Sequence, residues 1–210
     1  MTDKQFTKLK KAEELVDFLK EKRHQYYYHY TTLETLKRIL ESNSFQFTHG
    51  ISERLNDQHE IHKKANIEGH SKNYIFCLIH AQDESVAMWA LYTQMKHDAI
   101  RIKIPSETLL NWISECKEKI YARIALPPVE NVKVPYTSKL LLTDVAYCRV
   151  DDQSDRSSEL KFFWDKNETT LNLSEKEDRI EEVAGIIKNV AWEYEQESRI
   201  IISFECEQPK

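Results

Sequence analysis

The chain has 210 residues, of which 40% are hydrophobic and 31% charged, and its formal net charge is -5. This length predicts one globular domain over residues 1–210, and the small number of glycines and prolines excludes a low-complexity chain. The negative charge argues against a broad basic surface for non-specific nucleic-acid binding. Widely spaced cysteines and the lack of a long apolar run predict free thiols in a cytoplasmic protein that makes no membrane contact.

The N-terminal part of the chain is predicted to form a helix followed by a strand–helix–strand unit. Apolar residues at helical spacing predict a helix within residues 1–23, over 5–23, which either packs on an α+β core of residues 24–210 or extends from it. The aromatic run at 26–30 favours a strand. Thr31 and Glu34 then match a capping box at the start of the next helix, and residues 45–48 alternate as a short strand.

The rest of the chain alternates between strand and helix patterns. Strands are predicted at 74–79, 100–104, 140–150 and from about residue 195, with shorter pieces at 120–126 and 132–134. Helices are predicted at 86–95, 106–116 and around 180–187, whereas the acidic stretch 151–173 is predicted to be a loop. These elements predict an α+β fold, a mixed and mostly antiparallel split sheet with flanking helices and a cleft between its halves.

The polar stretch 49–70 is predicted to be a long functional loop. It contains Arg54, and its Asn56-Asp57 pair is also typical of plain turn chemistry. His59 and His62 do not stand at the HExxH spacing, so we predict no metal site.

The stretch from residue 192 to residue 202 carries the strongest chemical signal. Glu195 and Glu197 stand two residues apart just before a β-branched run, so on a strand they would share one face with Arg199. Their repulsion would raise one pKa unless a cation or ligand lay between them, which favours a site for cationic or hydroxyl-rich groups. The alternative is a solvated strand face with a Glu–Arg ion pair.

Four ordered stretches carry a resemblance to a known family. They are His29-Tyr30-Thr31, Arg54-Leu55-Asn56-Asp57-Gln58-His59-Glu60, Met88-Trp89-Ala90-Leu91-Tyr92, and Trp192-Glu193-Tyr194-Glu195-Gln196-Glu197-Ser198-Arg199. In this order, over residues from about 26 to 203, they resemble the bacterial domain-of-unknown-function family 2971. The chain departs from the family pattern at Leu55, Gln58, His59 and Ser198.

The early His-Tyr-Thr strand and the late Glu-x-Glu strand are also similar to the ADP-ribosyltransferase layout. This resemblance implies an ADP-ribosyltransferase-like fold with NAD as substrate and no metal. Glu197 would stabilise the oxocarbenium-like ribose, and Glu195 would position or deprotonate the acceptor. The implied NAD-binding residues are His29, Tyr30, Thr31, Arg54, Asn56, Asp57, Trp89 and Tyr92.

Three functions therefore remain open from the sequence. The first is an NAD-dependent ADP-ribosyltransferase that modifies a protein or nucleic acid, as a toxin or phage-defence effector with an antitoxin or regulatory partner. The second is an NAD hydrolase using the same cleft. The third is a non-catalytic module that binds a nucleotide, nucleic acid or protein. Independently of these functions, His29, Trp89 and Tyr92 could each be an ordinary core residue.

Overall fold

The structure is a computed structural model that describes residues 3–49, 72–116, 121–124, 130–133, 138–149, 159–172 and 185–204. Its strands pair mostly in antiparallel fashion and its helices are short, which confirms the predicted α+β class. The helical segments are the 3-10 helix Asp3–Lys8, α1 (Ala12–Glu21), α2 (Leu33–Ser42), α3 (Val86–Thr93), α4 (Ser106–Cys116) and the 3-10 helix Val190–Glu195.

The start of α2 lies one residue later than the capping pattern predicts. Strand β1 (Tyr26–Thr32) continues through Thr31, and the Thr32 hydroxyl caps the helix by accepting the Thr35 amide at 3.2 Å. Thr31 is therefore a strand residue, because the pairing of β1 with its neighbour extends through Thr32. Asn43, with a φ of 47°, ends α2 in the left-handed region that asparagine tolerates.

The strands of the central sheet besides β1 are β2 (Thr48–His49), β3 (Lys72–Ile79), β4 (Ala99–Pro105), β7 (Ser138–Asp144) and β12 (Glu197–Phe204). The six strands have the order β4-β1-β3-β12-β7, with β2 beside β3. β3 and β12 are paired on both sides, which explains their nearly continuous apolar runs. The predicted strand at 45–48 is reduced to its end, and the predicted strand at 140–150 is divided at Val145.

A second, four-stranded sheet has the order β10-β9-β8-β11, and β5 pairs separately with β6. The bounds are β5 (Tyr121–Ile124), β6 (Glu130–Lys133), β8 (Ala146–Arg149), β9 (Glu159–Trp164), β10 (Asn167–Asn172) and β11 (Ile187–Asn189). The predicted loop at 151–173 is therefore wrong for residues 159–172, which form a hairpin. Asp165 and Lys166 make its turn at positive φ, and Phe162 and Trp164 alternate inward.

The prediction of a helix around 180–187 is wrong at Ile187, which lies in a strand that runs parallel to β8. Residues 173–184 lie outside the described part of the chain. The N-terminal segment packs against this second sheet, with Phe6 and Phe18 in contact with Trp164 at centroid distances of 6.0 and 5.2 Å.

The two faces of the central sheet have different cores. On one face, β3 and β12 pack with Tyr27 against the buried side of α4. On the other face, Tyr28 and Tyr30 pack with Ile79 against Met88 of α3. The side chains that carry chemistry divide between these two faces.

Candidate functional site

The two predicted acids approach each other through a turn rather than along a strand. Glu195 ends the 3-10 helix Val190–Glu195, Gln196 follows with a φ of 46°, and Glu197 is the first residue of β12. The prediction that both acids lie on one strand is therefore wrong. The left-handed Gln196 reverses the chain locally and brings the two carboxylates together. Tyr147 fixes this junction, because its hydroxyl accepts the Glu197 backbone N–H at 2.8 Å.

Glu197 and Arg199 form a bidentate ion pair on one face of β12. The Arg199 Nε donates to Glu197 Oε1 at 2.8 Å, and its Nη2 donates to Oε2 at 3.0 Å. The guanidinium also donates to the Gly185 carbonyl at 2.8 Å. Gly185 has a φ of 80°, where a side chain would be strained, so a glycine suits this turn. The Glu–Arg pair matches the ion-pair alternative drawn from the sequence, although the pair is buried rather than solvated.

Lys188, from β11 of the second sheet, connects the two acids. Its ammonium lies 2.5 Å from Glu195 Oε2 and 3.2 Å from Glu197 Oε2. The Tyr92 hydroxyl donates to the other Glu195 oxygen at 3.2 Å. Glu195, Glu197, Lys188 and Arg199 are called the acid–base network below. None of these four side chains is more than 3% exposed, and their formal charges cancel.

The environment separates the pKa values of the two acids. Burial alone would raise the pKa of Glu197, but the charges of Arg199 and Lys188 outweigh it and hold the pKa at about 2. Burial raises the pKa of Glu195, and the neighbouring Glu197 charge adds to it against the opposing pull of Lys188. Burial would lower the pKa of Lys188, but the two carboxylates, Glu197 foremost, raise it. One acid is thus held ionised while the other binds its proton more readily, a separation found at acid–base sites.

Several of the predicted aromatic residues lie on the same face as the acids. The ring of Tyr30 meets Trp89 edge-on at 4.9 Å, and α3 carries both Trp89 and Tyr92. Trp192 also borders the network, since the Lys188 ammonium lies 4.8 Å from its ring centroid. The structure therefore brings together Tyr30, Trp89, Tyr92, Glu195 and Glu197.

His29 does not belong to this group. Tyr28, Ile79 and Glu197 stand in register across three adjacent strands, so they share a face, and His29 must point to the opposite one. There it stacks on Phe76 at 4.5 Å, and its Nδ1 lies 3.0 Å from the Cys77 carbonyl. Burial lowers its pKa. The expectation that this imidazole lines a pocket with the acids is therefore wrong. The alternative, an ordinary core histidine, fits its surroundings.

Other predicted residues also lie apart from the acids. Thr31 has the same strand parity as His29 and faces away from the network. Arg54, Asn56 and Asp57 lie outside the described residues, so their predicted roles stay predictions.

Sequence reasoning missed three polar members of this centre. Lys188 could have been suspected as a lone cation next to Ile186 and Ile187, since a lysine in a buried strand needs a partner. Tyr147 and Cys77 carry no such signal. Burial raises the pKa of the Cys77 thiol well above its usual range, and Glu197 adds to the effect, so Cys77 is not a thiolate nucleophile.

A second polar cluster, also missed, lies on the opposite face of β12. The His24 Nε2 is 2.8 Å from Asp144 Oδ2, and the two imidazoles of His24 and His80 stack at 4.1 Å. Ser198 and Trp164 donate to the Asp144 oxygens at 2.7 and 3.1 Å. Burial lowers the pKa of His80 to about 4, although Asp144 opposes this.

Comparison with known proteins assigns the family. The family model described as "Protein of unknown function (DUF2971)" matches residues 88–200, which is more than half of the chain. The protein belongs to the DUF2971 family. The match includes the whole acid–base network together with Trp89 and Tyr92. No curated protein and no solved structure matches the chain.

The helices of this DUF2971 protein are short compared with a membrane span. Within the described ranges, none is long and apolar enough to cross a bilayer.

Proposed function

We propose that the protein is an NAD-dependent ADP-ribosyltransferase-like enzyme whose acid pair acts on the nicotinamide-bearing ribose. One observation carries the proposal. Two carboxylates with separated pKa values converge on a single cation, the Lys188 ammonium, at 2.5 and 3.2 Å. A positive charge placed at that point contacts both acids at once. Breaking the bond between nicotinamide and ribose creates such a charge on the sugar.

Each acid has a distinct task in this proposal. Glu197, whose pKa is about 2, stays ionised and stabilises the oxocarbenium-like ribose. Glu195, whose pKa is raised, accepts the proton of the incoming acceptor, and the Tyr92 hydroxyl holds its carboxyl group in place. The acceptor is a protein or a nucleic acid. The NAD hydrolase follows from the same centre if water takes the acceptor's place.

NAD has to displace the Lys188 ammonium before it can meet the acids, because both carboxylates are fully buried. Tyr30 and Trp89 lie on the same face and are the rings proposed to border the nucleotide. His29 and Thr31 take no part, since both face the other side of the sheet.

The burial of the network favours a second candidate, a non-catalytic binding module. In that case Lys188 and Arg199 neutralise the acids permanently, and the network holds β11 against β12. In this candidate the buried ion pairs specify how the two strands assemble, a role that buried polar groups have in some proteins.

The two candidates separate in an assay with NAD labelled on its adenylate part and a cell lysate as the source of acceptors. The enzyme proposal predicts nicotinamide release and label transfer by the wild-type protein. Glu197→Gln should abolish both, whereas Glu195→Gln should lose transfer and keep part of the nicotinamide release. Glu193→Gln, in the same 3-10 helix but outside the network, is the matched control and should behave as wild type.

The folding of each variant is followed by its melting temperature, so that a loss of turnover is not confused with unfolding. Glutamine has the shape of glutamate and keeps an oxygen that can accept from the Tyr92 hydroxyl. Glu195→Gln therefore takes the place of Glu197→Gln in the assay if Glu197→Gln does not fold. Absence of turnover by the folded wild-type protein, with NAD still raising its melting temperature, would support the binding module instead.

A further inference from the structure

Two imidazoles and a carboxylate lie together at one end of the central sheet. The proposed transfer chemistry does not use them. β3 and β7 both run antiparallel to β12, so their carboxyl ends lie at the same edge of the sheet. His80 directly follows β3, and Asp144 is the last residue of β7. β1 begins at this edge because it is antiparallel to β3, and His24 lies just before it.

We propose that His24, His80 and Asp144 form a binding site for a divalent transition-metal ion, with zinc as the best fit. One ligand atom from each residue lies within 4.8 Å of the others. His24 Nε2 is 2.8 Å from Asp144 Oδ2, and His80 Nδ1 is 3.7 Å from Asp144 Oδ1. The two distances involve different oxygens of the carboxylate, and each lies within about 0.5 Å of the roughly 3.3 Å expected between ligands that bind tetrahedral zinc at about 2.0–2.1 Å.

The surroundings of Asp144 resemble the outer shell of a metal site. The carboxylate is only 1% exposed, and both of its oxygens are oriented by donors, the Ser198 hydroxyl and the Trp164 indole N–H. Metal-binding carboxylates are typically held by such hydrogen bonds, which fix their direction and leave lone pairs for the ion.

The two imidazoles supply nitrogen ligands that solvent can reach. The His24 and His80 side chains are 22% and 11% exposed, so an ion has a path to them. The ring planes are 5° from parallel, and because imidazole lone pairs lie in the ring plane, one ring must turn to meet a common ion. His24 is the more exposed of the two and precedes β1, so it is the ring that turns. A water molecule or a ligand completes the coordination.

The choice of metal follows from the donor set. Two imidazoles and one carboxylate suit zinc, iron(II), cobalt(II) or nickel(II), whereas calcium and magnesium require mainly oxygen ligands. Unlike the acid–base network, the site is partly exposed at its two imidazoles. An ion there competes with hydrogen bonds, since His24 Nε2 lies 2.8 Å from Asp144 Oδ2 and His80 Nδ1 lies 3.0 Å from the Ser198 hydroxyl.

The experiment titrates the full-length protein, stripped with a chelator, with zinc in a calorimeter and with cobalt(II) in an absorption spectrometer. The wild type should bind one equivalent of zinc, and its cobalt form should show the ligand-field bands of a tetrahedral nitrogen–oxygen site. His24→Ala, His80→Asn and Asp144→Asn should each weaken zinc binding about tenfold or more and abolish those bands. Zinc should raise the wild-type melting temperature and leave that of His24→Ala unchanged.

Two controls remove three other histidines of the chain. His97→Ala removes an exposed imidazole outside the cluster, and the double variant His59→Ala/His62→Ala removes the histidine pair of the polar stretch. Both should bind zinc as the wild type does. Because Asp144 is buried, Asp144→Asn could unfold, whereas the partly exposed His24 is expected to tolerate alanine. Unchanged zinc binding by folded His24→Ala, loss of binding in either control, or no binding by the wild type would overturn the proposal.

Discussion

The two faces of β12 use charge in different ways although they share one strand. Glu197 and Arg199 point to one face, where four compensating charges are sealed from water. Ser198 points to the other, where it donates to an Asp144 that stands beside two partly exposed imidazoles. Because successive side chains of a strand point to opposite faces, neighbouring residues of β12 lie in different electrostatic environments.

The two faces of β12 therefore differ in the ligands that they can bind. The sealed face already contains its cations, so a ligand there must displace Lys188. The open face has one carboxylate beside two partly exposed imidazoles, so an ion there competes with their hydrogen bonds rather than with a lysine. Substitutions on the two faces of β12 therefore test how the faces differ.

The largest expected effect comes from removing one charge of the sealed face. Glu197→Gln leaves Arg199 and Lys188 buried without their main partner and should cost about 3–5 kcal/mol of unfolding free energy. Ser198→Ala removes the contacts of its hydroxyl with Asp144 and His80 on the other face and should cost about 1–2 kcal/mol. Urea unfolding of both variants checks the contrast, and equal losses would contradict it.

The second largest expected effect is a dependence of the free energy of unfolding on pH. The pKa of Glu197 is about 2 in the folded protein against 4.5 ordinarily, so the unfolded chain binds the proton more readily. The stabilisation is fully present above pH 4.5, is lost as the pH falls towards 2, and amounts to about 3 kcal/mol. The raised pKa of Glu195 acts in the opposite direction, so the prediction concerns the difference between wild type and Glu197→Gln. That difference should shrink between pH 4.5 and pH 2 in urea unfolding; a constant difference would contradict the ionised state of Glu197.

A double-mutant cycle sharpens the role of Lys188. Lys188→Met leaves two acids facing each other, and adding Glu195→Gln removes the repulsion. The double variant should therefore be more stable than the sum of the single changes predicts, by about 1–3 kcal/mol. Chemical unfolding of the four proteins checks this coupling. Strict additivity would mean that the ammonium does not join the two carboxylates in solution.

The smallest expected effect is at the edge of the network. Tyr92→Phe removes the hydroxyl that donates to Glu195 and should cost about 1 kcal/mol. Tyr194→Phe, at a half-exposed ring in the adjacent 3-10 helix, is the control and should be close to neutral. A loss of more than about 3 kcal/mol in Tyr92→Phe would contradict this and show that the hydroxyl is a central partner of the buried Glu195 rather than a contact at the edge of the network.

The sequence predicted those parts of the fold whose signal is local. The apolar run 200–202 and the alternation at 100–104 identified β12 and β4 because burial on the sheet requires those patterns. The hairpin of β9 and β10 was missed, because acidic and polar residues mask the inward alternation of Phe162 and Trp164.

The candidate site shows a similar limit. Glu195, Glu197 and the Arg199 ion pair could be read from their spacing, whereas the Lys188 contact depends on how β11 meets β12 in space. The face of His29 depends on register, and a shift of one residue in the pairing would reverse it.

The most direct test of the proposed function follows the nitrogen-15 signal of the Lys188 ammonium while NAD is added. A buried ammonium held between two carboxylates exchanges slowly with water and can be assigned with a Lys188→Met control. If the ribose of NAD takes the place of this ammonium, the signal shifts or disappears as NAD saturates the protein. A Lys188 signal that stays unchanged at saturating NAD would contradict the proposal that the acid pair receives this substrate.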